Sequence, residues 1–119
     1  MATHNDLGKQ GELIAQDFLR SKGYEILETN WRFGKAEIDI IAKKEDLLVV
    51  IEVKTRSSEH YGKPEMFVNK KKMKLVLEAI NQYVDQKNIE DEIRFDIISI
   101  IINQYRKDID HIEDAFIWF

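Results

Sequence analysis

The stretch from Asp39 to Lys54 constrains the fold of this chain more than any other feature. It runs D-I-I-A-K-K-E-D-L-L-V-V-I-E-V-K, so two apolar, β-branched runs flank a short polar break. Such runs predict neighbouring strands of a buried sheet. Asp39, Glu52 and Lys54 lie within these runs, and an ionised side chain in a sheet interior is costly unless it is paired or bound to a metal. The three charges therefore predict a functional site.

The polar break predicts a β-hairpin with its turn centred on residues 44–45. In that register Asp39 pairs with Val50 on the opposite strand. Paired residues share a face of the sheet, as do side chains two apart on one strand. We therefore expect Asp39, Glu52 and Lys54 to project from one face, whereas a slip of one residue would move Asp39 to the other face.

The remaining elements follow from hydrophobic periodicity and from turn residues. The predicted elements are a helix from Gly8 to Lys22 with Asp6 as N-cap and Gly23 as stop, a strand Tyr24–Phe33, hairpin strands Glu37–Ala42 and Leu47–Thr55, a loop Ser57–Val68, a helix from its cap Asn69 to about Gln86, and strands Ile93–Asn103 and Ile109–Trp118. This order predicts an α/β or α+β fold, with a mixed sheet flanked by helices. Glu12 lies at the edge of the apolar stripe of the first helix, so its side chain can reach inward.

Composition sets the broad class of the protein. A chain of 119 residues, 44% apolar and 34% charged, predicts a single globular domain over residues 1–119. The absence of cysteine excludes disulfides, thiolate metal sites and cysteine nucleophiles. No apolar run approaches the ~20 residues that a transmembrane helix needs, and the N-terminus lacks a signal-peptide pattern. We therefore expect a cytoplasmic protein without a membrane partner.

The predicted constellation would suit metal-assisted hydrolysis. Two carboxylates on adjacent strands, with Glu12 from a packed helix, give the oxygen donors that Mg²⁺ or Mn²⁺ prefers. Asp39 and Glu52 would ligate the ion, and Glu12 would complete the shell or orient a bound water. Lys54 would position that water or stabilise the charge of a phosphodiester transition state. Alternating charges on a solvated strand face give the same string, so spacing alone leaves both interpretations open.

The charge distribution indicates which polyanion-binding surface to expect. The net charge of −4 argues against an indiscriminate binder, but residues 54–74 are locally basic. Arg56, Lys70 and Lys71 are the predicted contacts to a nucleic-acid backbone, with an exposed strand end and a solvated helix face as the alternatives. Glu37 is expected either as a further carboxylate of the site or as a surface partner of Lys35. The histidines have no ligand spacing, so we expect none of them to bind metal.

Four segments of the chain resemble a known family. They are G-K-Q-G-E-L-I-A-Q-D-F-L from Gly8, N-W-R-F-G-K-A-E-I-D-I-I-A from Asn30, V-V-I-E-V-K-T-R from Val49 and R-F-D-I-I-S-I from Arg94. In this order they resemble the YraN family of the PD-(D/E)xK restriction-endonuclease-like superfamily, which is similar in fold to archaeal Holliday junction resolvases. The resemblance covers nearly the whole chain.

Position by position, the resemblance implies catalytic or metal-binding roles for Glu12, Asp39, Glu52 and Lys54. The chain departs from the superfamily motif in having Ile38 rather than proline before Asp39. It also has alanine at position 36, where the family commonly has glycine. Arg94 and Asp96 match the family, and we expect them to form a structural pair.

The resemblance implies a metal-dependent endonuclease that hydrolyses DNA phosphodiester bonds, with branched or structured DNA as the substrate class. A resolvase-like role would imply a two-fold homodimer. A fold hosts many functions, so a second hypothesis stays open. It is a non-catalytic module with the same fold that binds nucleic acid or a DNA-processing partner.

Overall fold

The computed structural model describes residues 4–58 and 70–115. Its elements are α1 (His4–Ser21), β1 (Glu25–Phe33), β2 (Ala36–Lys44), β3 (Leu47–Arg56), α2 (Lys70–Lys87), β4 (Glu92–Ile102) and β5 (Lys107–Ile112). The predicted order of helices and strands is confirmed. Most of the predicted loop after β3, the predicted helix cap Asn69, and Trp118 lie outside the described residues.

The five strands form one sheet in the order β1-β2-β3-β4-β5. The β1–β2, β2–β3 and β4–β5 pairs are antiparallel, while β3 and β4 are parallel. Parallel neighbours need a crossover connection, and α2 lies within the segment that connects β3 to β4. The predicted mixed sheet of an α+β fold is therefore confirmed, and it is consistent with a restriction-endonuclease-like fold.

Each face of the sheet carries one helix and one hydrophobic cluster. Met73, Val76 and Ile80 of α2 pack on one face, and Ala15 and Leu19 of α1 pack on the other. Strand β3 is covered from both sides, which explains its unbroken apolar run. Neither described helix has an apolar stretch long enough to cross a membrane.

Helix α1 begins earlier than predicted and ends as predicted. It starts at His4, so Asp6 lies inside the first turn, where its charge favours the helix dipole, and is not the N-cap. At the other end Gly23 has a φ of 90°, and the N–H of Tyr24 donates to the carbonyl of Leu19 at 3.0 Å. This left-handed glycine closes the helix and turns the chain into β1.

A buried polar network holds the β4–β5 end of the sheet. Asp96 is fully buried, and its two oxygens accept hydrogen bonds from Nε and Nη2 of Arg94, each at 2.8 Å. His111 Nε2 lies 2.7 Å from Asp96 Oδ2, and the Asp114 N–H donates to Oδ1 at 3.0 Å. Arg94 also donates to the Tyr24 hydroxyl at 2.7 Å. The expected structural pairing of Arg94 and Asp96 is confirmed.

Two features of this network explain the end of β5 and the charge of Asp96. Strand β5 ends at Ile112 rather than near Trp118, because Asp114 adopts a φ of 50° and turns its N–H toward Asp96. Burial raises the pKa of Asp96, but hydrogen bonds from His111 and Arg94 outweigh burial and hold that pKa below its usual value. Asp96 is therefore ionised and accepts hydrogen bonds from Arg94, His111 and the Asp114 N–H.

Replacing Asp96 with asparagine tests whether this network is structural. Asp96→Asn removes the buried counter-charge of the Arg94 guanidinium, which keeps only exposed Glu113 at 3.8 Å, and breaking a buried pair in this way costs about 3–5 kcal/mol. Asp108→Asn is the matched control, because it breaks an exposed pair with Arg106 at 3.2 Å and should cost less than about 1 kcal/mol. The measurement is urea unfolding followed by circular dichroism. Equal losses for the two variants would contradict a structural role for the network.

Helix α1 approaches β3 closely at Gly11. A β-carbon at Gly11 would lie 2.8 Å from both Cβ and Cγ2 of Thr55, and closer still to its Oγ1. The close spacing between α1 and β3 therefore depends on the absence of a side chain at Gly11.

Alanine substitutions at the two glycines of α1 separate packing from helix propensity. Gly11→Ala should lower the free energy of unfolding by about 1–3 kcal/mol, because the helix must move away from Thr55. Gly8→Ala meets no atom within 4 Å and should raise it by about 0.5–1 kcal/mol through helix propensity alone. Thermal unfolding midpoints check both signs, and a stabilising Gly11→Ala would show that the contact is not tight.

Candidate functional site

The register of the β2–β3 hairpin differs from the prediction by two residues. Ile41, not Asp39, lies opposite Val50. The strands are joined through Glu45–Asp46, whose first residue has a φ of 56°. A shift of two residues keeps each side chain on its predicted face. Continued by one step beyond the observed pairs, this register brings Asp39 beside Glu52.

Strand β2 loses its regular alternation at Asp39. Ile38 packs in the cluster under α2, whereas Ile40 packs in the cluster under α1. Residues two apart on a regular strand share a face, so the chain is irregular between them. The β2–β3 pairing ends at Ile40, and Asp39 Oδ2 accepts a hydrogen bond from the N–H of Val53 at 2.8 Å. Asp39 therefore lies at an irregularity of β2, where the N–H of Val53 on β3 holds its carboxylate.

Asp39 and Glu52 line a cavity of about 330 Å³ between the sheet and α2, which we call the carboxylate pocket. The residues that line it are Lys35, Ala36, Glu37, Asp39, Glu52, Lys72, Leu75 and Val76. Glu52 is buried, with 8% of its surface exposed. Lys72 Nζ donates to Glu52 Oε1, and Lys54 Nζ lies 4.0 Å from the same oxygen. Two lysines thus converge on one buried carboxylate.

The electrostatics of the pocket act most strongly on Asp39. Burial raises the pKa of Asp39, and the charge of Glu52 raises it further. The hydrogen bond from Val53 lowers this pKa, Glu12 raises it, and Lys72 lowers it. The result is a pKa of about 7, far above the ordinary value of 3.8. Asp39 therefore changes its charge near neutral pH, as a carboxylate does when it shares a site with others.

Glu12 acts on this pocket from the other side of the sheet. It is half-buried on α1, and its Oε2 accepts a hydrogen bond from Asn30 Nδ2 at 3.2 Å. Glu12 is absent from the described lining of the pocket, yet it is near enough to raise the pKa of Asp39. Of the predicted constellation, Asp39 and Glu52 line the pocket, Lys54 Nζ lies 4.0 Å from Glu52, and Glu12 acts on Asp39 through its charge.

Of the residues predicted to bind nucleic acid, Lys70 and Lys71 directly precede Lys72 on α2, and Arg56 follows Lys54 by two residues on β3. Lys70 and Lys71 are exposed in the first turn of α2, and Arg56 is half-buried at the end of β3. The residue that the prediction missed is Lys72, which points into the pocket. It precedes buried Val76 by four positions, and residues four apart share a helix face. A helical wheel of α2 therefore places Lys72 on the side of the helix that faces the sheet.

Two further predictions concern the partner of Glu37 and the histidines. Glu37 pairs with Arg32 at 3.1 Å rather than with Lys35. His111 contacts Asp96, as described above, and the side chains of the other two histidines lie outside the described part of the chain.

The side-chain atoms that line the pocket can be compared with the ligands that a hard divalent cation prefers. Asp39 and Glu52 supply the carboxylate oxygens that Mg²⁺ and Mn²⁺ prefer. Within residues 4–58 and 70–115, no three acidic or histidine side chains converge as a ready metal cluster. Lys72 holds one oxygen of Glu52. The residues present therefore fit such an ion in donor type, once Lys72 releases Glu52.

Comparison with known proteins places the chain in a family. A model described as the uncharacterised protein family UPF0102 matches residues 11–100, which is more than half of the chain. The chain belongs to the UPF0102 family. This confirms the assignment to the YraN family, which is the same group. The matched segment of the UPF0102 chain contains every residue of the carboxylate pocket.

Three relatives illustrate the similarity. A UPF0102 protein of Flavobacterium psychrophilum is 55% identical over 119 residues, and one of Christiangramia forsetii is 50% identical over 119 residues, each covering the whole of both chains. A UPF0102 protein of Parabacteroides distasonis is 47% identical over 116 residues, which cover 98% of this chain and 96% of the relative.

The pKa of Asp39 in this UPF0102 protein predicts a pH dependence of stability. An acid whose native pKa is raised binds more protons in the folded state, so stability falls as pH rises from about 4 to about 7. Asp39→Asn removes that slope and keeps an acceptor for the Val53 N–H. Relative to wild type, the variant should gain on the order of 3 kcal/mol across this range, since each pKa unit corresponds to about 1.4 kcal/mol.

Urea unfolding in EDTA-containing buffers from pH 4 to pH 8 makes this measurement. Asp39→Ala serves as the paired variant, because it removes the charge and also the acceptor. Its pH dependence should match that of Asp39→Asn, offset by a constant loss of about 1–3 kcal/mol for the unsatisfied N–H. Wild-type and Asp39→Asn curves that run parallel would contradict the raised pKa.

Proposed function

We propose that this UPF0102 protein is a metal-dependent endonuclease that hydrolyses DNA phosphodiester bonds. The observation that carries the proposal is the carboxylate pocket, where Asp39 and Glu52 share a cavity and two lysines converge on Glu52. An acidic group with a raised pKa, as Asp39 has, is characteristic of sites that perform chemistry when it lies in a cavity with other charged groups. The donor set matches the ions that assist phosphodiester hydrolysis.

Each residue of the pocket has a distinct part in this proposal. Asp39 and Glu52 would hold Mg²⁺ or Mn²⁺, and Glu12 would act at longer range on Asp39 or through a bound water. The ion would supply an activated water and neutralise charge on the phosphate. Lys54 stands 4.0 Å from Glu52, where its ammonium can face a phosphate oxygen in the transition state.

The substrate class and the assembly follow from the surroundings of the pocket. Lys70, Lys71 and Arg56 would contact the DNA backbone and fix its position without reading sequence. Branched or structured DNA is the proposed substrate, because the resemblance of the sequence segments implies a fold like that of junction resolvases. A two-fold dimer would present two pockets to such a substrate, and sedimentation of the purified protein tests that assembly.

Cleavage assays with purified protein test the activity. The substrates are labelled duplex, single-stranded, flap and four-way-junction DNA, each with Mg²⁺, Mn²⁺ or EDTA. Cutting should require the divalent ion. Asp39→Asn and Glu52→Gln should each lower the rate at least about 100-fold by removing a ligand charge, and Lys54→Ala should lower it about 10- to 100-fold.

A matched control comes from the same pocket. Glu37→Gln removes one carboxylate that lines the cavity but pairs with Arg32, so it should leave cleavage within about twofold of wild type. Circular dichroism confirms that each variant is folded. Cutting that survives Asp39→Asn and Glu52→Gln comes from a contaminant, and absence of metal-dependent cutting on all four substrates rejects the proposal.

The Lys72–Glu52 ion pair favours a second candidate, a non-catalytic module that binds nucleic acid or a DNA-processing partner. In that case Lys72 is a permanent counter-ion, and no divalent ion replaces it. DNA binding would then fall steeply with salt, weaken on replacing Lys70 and Lys71 with alanine, and stay unchanged in Asp39→Ala. Co-purification of a partner without any DNA binding at low salt would point to the partner module.

A further inference from the structure

Lys72 occupies an unusual position for a lysine near a helix start. Its neighbours in the run, Lys70, Lys71 and Lys74, are exposed, whereas Lys72 is only partly exposed and lines the carboxylate pocket. Its ammonium donates to Glu52 Oε1. Cations in the first turns of a helix gain nothing from the helix dipole, so the helix itself does not favour a lysine here.

The pocket supplies the reason for this position. Asp39 and Glu52 line one cavity, and the charge of Glu52 disfavours the ionised form of Asp39. Lys72 offsets this repulsion for both: it pairs with Glu52, and its charge lowers the pKa of Asp39. A cation at this place does what a divalent ion between the two carboxylates would do.

We propose that Lys72 is an internal counter-ion that competes with the divalent cation for Glu52. The inference rests on the proposed metal site and adds an exchange to it, in which the ion enters as the Lys72 ammonium leaves Glu52. Removal of the Lys72 charge therefore makes divalent-ion binding tighter, since an ion pair no longer has to be broken and a like charge no longer faces the ion.

Lys72 and Lys54 differ in how they contact Glu52. Lys72 Nζ donates a hydrogen bond to Glu52 Oε1, whereas Lys54 Nζ lies 4.0 Å from that oxygen, beyond hydrogen-bond distance. Of the two lysines, Lys72 therefore occupies the oxygen that a divalent ion would need, and its flexible four-carbon stem lets the ammonium leave without movement of the helix. Lys54 does not have to leave Glu52 for the ion to bind.

Equilibrium binding of Mn²⁺, without DNA and without turnover, tests the exchange. The free ion is counted by electron paramagnetic resonance during titration of wild type, Lys72→Met and Lys74→Met. Both variants lose one positive charge from the same helix, two residues apart. Lys72→Met should bind Mn²⁺ at least about tenfold more tightly than wild type, and exposed Lys74→Met should change the affinity less than about twofold because solvent screens its charge.

Two further measurements keep the result interpretable. In EDTA, Lys72→Met should melt at a lower temperature than wild type, because the carboxylates are left without a counter-ion, and Mn²⁺ should restore the loss. Lys72→Gln, which keeps a donor for Glu52 without the charge, gives a second measurement if the methionine variant fails to fold. Adding Glu52→Gln to Lys72→Met should abolish the tight binding and so locate it at Glu52.

The outcomes separate this inference from the proposed function. Tighter binding by Lys72→Met that depends on Glu52 supports the exchange. Equal or weaker binding by Lys72→Met, with wild type binding through Asp39 and Glu52, overturns the exchange and leaves the proposed metal site standing. Absence of Mn²⁺ binding at millimolar concentration in wild type and in both Lys72 variants overturns the metal site and the exchange together.

Discussion

Two carboxylates, Asp39 and Glu52, meet in one dehydrated pocket between the central strands and α2, and the surrounding structure is arranged to tolerate them. The N–H of Val53 and the ammonium of Lys72 each offset part of their charge. These compensations require the β2–β3 pairing to stop at Ile40, one residue short of Asp39. They also require α2 to cover the sheet where that pairing stops. The irregularity of β2 and the inward position of Lys72 therefore both stabilise the two carboxylates.

The two aspartates in the sheet show how surroundings separate a structural role from a chemical one. Asp96 is fully buried, yet its hydrogen bonds from His111, Arg94 and the Asp114 N–H outweigh the cost of burial, and its pKa stays low. Burial also raises the pKa of Asp39, the charge of Glu52 raises it further, and the one backbone N–H that Asp39 accepts does not offset them, so this pKa rises to about 7. A fully satisfied charge holds strands in place, whereas an under-compensated one is able to exchange protons or cations.

Much of the fold was predictable because it depends on local patterns. Hydrophobic periodicity gave the order of the elements, Gly23 ended α1, and the polar break gave the hairpin. The start of α1, the end of β5 and the hairpin register were wrong. Each of these depends on the local conformation of a turn or a helix end. Glu45 and Asp114, for example, have a positive φ, which is uncommon for residues other than glycine and is set by the surrounding structure.

By itself, the sequence determined which residue types would share a neighbourhood, because strand spacing brings Glu52 and Lys54 to one face and the hairpin brings Asp39 near them. The family followed from the same segments. Only the tertiary structure decided that Asp39 lies at an irregularity of β2, that Glu12 accepts a hydrogen bond from Asn30, and that Lys72 pairs with Glu52. These outcomes depend on how α1 and α2 pack against opposite faces of the sheet, and such packing brings together residues from elements that are far apart in sequence.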